Sequence, residues 1–288
     1  MYDFHTPCTQ DIPWLKKALA QAQSPCCDYT VGNLLGWSSF FNEKIEKIED
    51  CLVMNIDANE LFGFPQGSNY KKALAAVISS YENPSFFLLT DNECEILEEM
   101  FPGKYNFYPS ENHFDYVYRT EELATLKGRK YHSKRNHISY FEKNFDWKYE
   151  ELSADSLAEC IKMNEEWFRE NEEKDPYGID IEHKVLNFAL ENYESLNFRG
   201  GLIRVDGSIV AFTFGEKLND NTFNTHFEKA YSTIRGAYPM INMLFARETI
   251  SDFEFVNRED DAGSEGLRKA KLSYHPEFIV RKYTAVKI

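Results

Sequence analysis

Three segments of this sequence carry side chains that could do chemistry together. In TFNTHFEKAY (residues 222–231), His226 and Glu228 stand two positions apart. Strand side chains alternate faces, so this spacing predicts the pair on one face and Phe227 and Lys229 on the other. An imidazole beside a carboxylate can take the proton of an attacking amine and return one to a leaving oxygen. A packed strand-edge pair is the plainer alternative. In VNREDDAGSEGLRKAKLSYHP (256–276), Asn257, Glu259 and Asp261 follow a short apolar run, Gly263 and Gly266 shape a turn, and Arg268, Lys269 and Lys271 lie in the helix it opens. Glu259 or Asp261 could clamp an ammonium. The cations, with the N–H groups of a helix start, could hold a phosphate or a developing oxyanion. Here the alternative is mutual salt bridging within the turn. Lys134, Arg135 and Asn136 form the third group. Adjacent helical positions point different ways, so these side chains can reach separate phosphates or tie two parts of the chain together.

Composition narrows what these groups can serve. At 288 residues the chain fits one large or two ordinary domains, and 43% hydrophobic content with 15% aromatics is globular. A net charge of −15 argues against wholesale coating of nucleic acid. It leaves room for a local basic strip at Lys127, Arg129, Lys130, Lys134, Arg135, Lys143 and Lys148, which can focus anionic ligands or simply face water. The six cysteines form no CxxC pair and no zinc-ligand spacing, so no metal is expected and reduced thiols in a cytoplasmic setting are the simplest reading. No apolar stretch approaches the ~20 residues that span a bilayer, and the N-terminus lacks signal-peptide regions.

The elements that must position these groups are mixed α/β. WLKKALAQAQ and YKKALAAVISSYEN read as helices, PSFFLLT as a buried strand, and SSFFNEKIEKIEDCLVMNID as paired strands. A helix over 91–100 is expected with Asp91 as its cap. Residues 121–144 read as one long basic helix, weakly interrupted at Gly128. Then Asp155 and Asp180 cap two helices, SLAECIKMNEEWFRENEEK and IEHKVLNFALENYESL. FRGGLIRV and SIVAFTFGEKL join through the hairpin signal Asp206-Gly207, and a third strand, a helix, the FEFV strand, a last helix and a strand-like end, PEFIVRKYTAVKI, follow. That order is the element order of the GNAT acyltransferase fold, and the first half is a blurred version of it. The expected organisation is an N-terminal GNAT-like domain (1–120), a basic connector helix (121–148) and a C-terminal GNAT-like domain (149–288) with the active site.

KRN (134–136), THFEKAY (225–231) and NREDDAGSEGLRKAKLSYHP (257–276), in this order, resemble the lysyl-phosphatidylglycerol synthase C-terminal domain family, whose soluble branch is a domain of unknown function. The resemblance covers essentially the whole chain. It implies two tandem GNAT-like domains, each a mainly antiparallel sheet flanked by helices, and kinship with Fem-type transferases. It also implies an aminoacyl or acyl transferase, with aminoacyl-tRNA as donor, tRNA as partner, and a small-molecule or peptide acceptor bearing an amine or hydroxyl. No cysteine or serine stands in a recognisable nucleophile motif, so direct transfer in a ternary complex is expected. Glu228 leads the expected proton handling. In CoA-dependent GNAT enzymes the turn after the third strand carries glycines that approach a pyrophosphate. Here Arg235 and Gly236 keep a fragment of it, but Tyr238 and Pro239 follow, and Pro239 has no N–H to donate. Acyl-CoA is the alternative donor, and a non-catalytic binding module the second alternative.

Overall fold

The computed structural model describes residues 2–56, 60–171 and 176–288, so the last residues of two sequence segments named above (57 and 172–174) lie outside the described residues. Helix α1 (Ile12–Ala22) carries Pro13 in its first turn, where a missing N–H costs nothing. Thr30 caps α2 (Val31–Trp37) by accepting from the Asn33 N–H. A hairpin of β1 (Glu43–Ile48) and β2 (Cys51–Ile56) follows, then β3 (Leu61–Gly63), α3 (Tyr70–Ser80), β4 (Ser85–Leu89), α4 (Asp91–Met100) and β5 (Tyr105–Pro109). Asp91, expected as a cap, is already helical. Thr90 caps α4, in a reciprocal box with Glu93.

The chain continues through β6 (Asp115–Arg119), α5 (Thr120–Thr125), α6 (His132–Asn144), β7 (Trp147–Glu151), α7 (Ala154–Asn171) and α8 (Pro176–Glu191). The expected single helix over 121–144 is thus two. Leu126 turns left-handed (φ 46) and ends α5, and the Arg135 guanidinium folds back onto the carbonyls of Leu126 and Gly128. Asp155 and Asp180 sit inside α7 and α8 rather than capping them. The remaining elements are α9 (Tyr193–Leu196), β8 (Arg199–Val205), β9 (Ser208–Lys217), β10 (Thr222–Ala230), α10 (Ala237–Leu244), β11 (Phe255–Asn257), α11 (Glu265–Leu272), β12 (Phe278–Val280) and β13 (Tyr283–Lys287).

Two mainly antiparallel sheets result, ordered β1-β2-β3-β4-β13-β5 and β12-β6-β11-β10-β9-β8-β7. The strand-like end of the sequence is split between them. β12 edges the second sheet beside β6, while β13 inserts between β4 and β5 of the first. In return β6, from the first half of the chain, lies inside the second sheet between β12 and β11. Helices α3 and α4 cover the outer face of the first sheet, and α5, α6 and α10 that of the second. Between the sheets lies one shared core. Leu15, Leu34, Ile45 and Met54 from the first half meet Val185, Leu190, Phe212, Phe214 and Phe227 from the second.

Candidate functional site

β10 holds the first of the expected residues, but with a local change of register. Thr225 pairs with Gly215 and Phe227 with Phe214, so His226 is the extra residue of a β-bulge. The bulge reverses the alternation beyond it. His226 faces the other half of the molecule, whereas Glu228 lies on the opposite face, bonded to Asn242 of α10 and to Arg258 at 3.0 Å each. The expectation that His226 and Glu228 share a face is corrected by this one residue.

His226 is buried between two carboxylates, with Nδ1 2.9 Å from Glu259 and Nε2 3.0 Å from Glu216. Burial pulls its pKa down, but the hydrogen bonds and charges of the two glutamates outweigh this and raise it to about 9. A raised pKa favours the imidazolium at neutral pH, a form with no lone pair to accept a proton. Glycine at 32 permits the close approach of α2: its N–H donates to Glu216 at 2.6 Å, and a Cβ there would come within 2.9 Å of His226 Nε2. Glu259 accepts from Asn33, Asn224 and His226 through Oε1 alone, leaving Oε2 without a partner among the described residues.

A second polar hub joins the sheets where β12 passes into β13. Lys282 is completely buried and ion-paired with Asp28 and, at 2.6 Å, with Asp115. Burial would depress this ammonium, but Asp115 and Asp28 hold it well above the usual lysine range. Burial would raise Asp28, yet Lys282 keeps it low, while the deeper Asp115 is pushed up by burial. Cys26 and Cys27 donate to these carboxylates at 3.0 and 3.1 Å, and burial first, then Asp28 and Asp115, push both thiols well up. Cys26, Asp28 and Asp115 converge as metal ligands would, but the Lys282 ammonium pairs with both carboxylates. Asn257 completes the hub, donating to Asp115 and to the Pro25 carbonyl.

Between the two hubs and the first sheet opens a cavity of about 540 Å³. One wall is the first sheet and its neighbours: Glu43, Met54, Ile56, Phe87 and Leu88, with Trp37 and Phe41. The other is polar and mostly acidic: Asp28, Asn33, Glu259 and Asp260, with His113. His113 bonds to Asp260 at 3.3 Å, and this bond chiefly raises its pKa. Asp28, Asp115, Glu216 and Glu43 escaped the sequence reading, and Lys282 entered it only as one cation of a C-terminal basic cluster with Arg268, Lys269, Lys271, Arg281 and Lys287. The local signal is weak: Asp115 is a charge inside an apolar strand, FDYVY, and Lys282 lies between two short apolar runs in FIVRKYTAV.

The turn after β11 places its groups differently from an open anion site. Its N–H groups are taken internally: Glu259 by Asn257, Ala262 by Asp260 and Gly263 by Asp261. Ser264 caps α11. Arg268 pairs with Asp261 at 2.8 Å, and Lys271 donates to the carbonyls of Arg258 and Asp260. For these two cations the internal alternative is what the structure shows. Lys269 and Gly266 are exposed. Lys134 bonds to Ser273 Oγ at 2.7 Å and lies over the Tyr274 ring, and Asn136 bonds to His132. Arg235 lies over Tyr140 of α6, and a Cβ on Gly236 would meet the His137 carbonyl at 2.4 Å. The turn that holds pyrophosphate in CoA-dependent enzymes is therefore packed against α6.

The architecture is that of two GNAT-like domains in tandem, each a mixed, mainly antiparallel sheet flanked by helices. The sequence profile described as phosphatidylglycerol lysyltransferase, C-terminal, matches residues 20–286, and the chain belongs to that family. A conserved protein of unknown function from Bacteroides thetaiotaomicron is 35% identical, with a TM-score of 0.92 over 100% of both chains. L-PGS from Bacillus licheniformis shares the fold at a TM-score of 0.64 and 14% identity, covering 98% of this chain and 92% of that one. FemX does so at 0.57 and 9%, covering 99% and 97%. An uncharacterised protein of Mycoplasmoides gallisepticum is 29% identical over 175 residues, 60% of this chain and 56% of that protein, so the match spans little more than half of that relative's length. Among the described residues no helix is long and apolar enough to cross a membrane.

Proposed function

We propose that this protein is an aminoacyl transferase, moving an aminoacyl group from an ester donor, aminoacyl-tRNA, to an amine or hydroxyl acceptor. The cavity carries the reading. Its apolar wall suits the body of an aminoacyl group, and its acidic wall, with Glu259 Oε2 unpartnered among the described residues, suits the ammonium. Family membership supports the reaction class. The packing of α6 against the Gly236 turn favours a donor other than CoA.

Thermal-shift titration distinguishes the donors. A non-hydrolysable 3′-aminoacylamido-adenosine should raise the melting temperature saturably, and Glu259→Gln should weaken that effect at least tenfold. Saturable stabilisation by acetyl-CoA alone would overturn the proposal. For tRNA, the exposed cations Lys127 and Arg129 mark the approach. Reversing both to Glu should weaken filter binding of charged tRNA at low salt, where phosphate contacts are strongest.

A further inference from the structure

Among the carboxylates that line the cavity, Glu43 differs in one respect. Asp28 is held by Lys282 and Cys26, Asp260 by His113 and the Ala262 N–H, and Glu259 by its three partners on Oε1. The Glu43 carboxylate has no hydrogen-bond or ion-pair partner among the described residues. It sits at the open end of the β1–β2 hairpin, directly across from Ile56, and shares that wall with Met54, Trp37 and Phe41. Glu43 is half-buried at the cavity wall, so a group entering the cavity can reach its carboxylate by displacing water, with no protein contact to break.

We propose that Glu43 is the proton-transfer residue of the cavity, acting as base and then acid during acyl transfer; this rests on the aminoacyl-transferase reading. As the acceptor N or O bonds to the ester carbonyl carbon, its proton passes to the Glu43 carboxylate. As the ester C–O bond breaks, the leaving ribose oxygen takes that proton back. The products are the acylated acceptor and a free hydroxyl, and Glu43 returns to its starting state. Its surroundings suit the task. Burial first, and then the negative charge of Asp28, raise it to about 7, where a carboxyl can both take and give a proton. The charged and titratable groups that line the cavity with it are Asp28, whose charge acts on it, and Cys27, His113, Glu259 and Asp260.

The test compares wild type, Glu43→Gln and Glu43→Asp in single-turnover assays with bulk tRNA charged with tritiated amino acids. Glycinamide, glycerol and phosphatidylglycerol vesicles serve as acceptors, and binding of the 3′-aminoacylamido-adenosine is measured in parallel. We expect Glu43→Gln to bind the adenosine probe like wild type, to lose about 10²–10⁴-fold in transfer rate, and to lose the rise of rate with pH near 7. Glu43→Asp should recover part of the rate with a shifted profile. A Glu43→Gln rate within threefold of wild type, or an unchanged pH profile, overturns the assignment alone. A wild type that binds no aminoacyl probe and transfers to none of the acceptors overturns the functional reading with it.

Discussion

His226 and Lys282 are buried cations, each held between two carboxylates, and they respond differently to perturbation. The folded pKa of His226, about 9, stands above the ~6.5 of a free imidazole, so the folded state binds its proton more tightly. That stabilisation is fully present below about pH 6.5 and is lost as pH rises through 9; it amounts to roughly 3 kcal/mol. The urea midpoint of the wild type should therefore fall between pH 7 and 10, and that of His226→Gln should fall less. An equally steep decline in the variant would show that His226 is not the source. Lys282 is tested by removal. Lys282→Met leaves Asp28 and Asp115 without their cation in a buried site, which costs about 3–5 kcal/mol. Converting Asp28 and Asp115 to Asn in the same chain should restore part of the urea midpoint, since the loss comes from uncompensated charge.

At the scale of elements, local pattern was a good guide where a short window contains the whole cause. Helices α1, α3 and α4 and the Asp206-Gly207 hairpin follow from periodicity and turn chemistry. The bulge in β10 was not readable in this way. One inserted residue reverses the face of everything beyond it, and nothing in TFNTHFEKAY marks where the insertion falls. Gly128 marked the break between α5 and α6 only weakly, and the Arg135 guanidinium returning nine residues to the Leu126 carbonyl is a contact that helix propensity does not register. Gly236 shows what such tertiary causes weigh. It sits at φ 95 with the α6 backbone against it, so Gly236→Ala combines a left-handed conformation with a clash against a carbonyl. We expect a loss of about 1–3 kcal/mol, read as a lowered thermal midpoint. Hydrogen exchange should be faster in α6 and α10 than in the remote α3. Uniform loosening across all three would remove the assigned contact as the cause.

For the whole molecule, what the sequence conceals is the exchange of strands. Each half looks locally complete, because strand pairing between residues more than a hundred positions apart leaves no periodic trace. The candidate site shows the same limit. His226, Glu259 and Asn257 stood out because they share motifs, whereas Asp28, Asp115 and Lys282 meet only after the chain has crossed between sheets. This exchange has a consequence for autonomy. β13 is an interior strand of the first sheet, bonded on both edges by β4 and β5, and it is drawn from the last residues of the chain. β6 is likewise interior to the second sheet, between β12 and β11, and is drawn from the first half. A fragment of residues 1–120 would therefore leave open edges where β13 belongs, and 121–288 would lose the strand that joins β12 to β11. Unfilled interior edges expose rows of unpaired N–H and carbonyl groups together with the shared core. Expressed separately, both fragments should aggregate or give poorly dispersed amide spectra. Expressed together, they should co-purify as a one-to-one complex with the circular dichroism of the intact chain. A stable, well-dispersed 121–288 fragment alone would show that the second sheet closes without β6, and that the exchange tethers the halves without completing them.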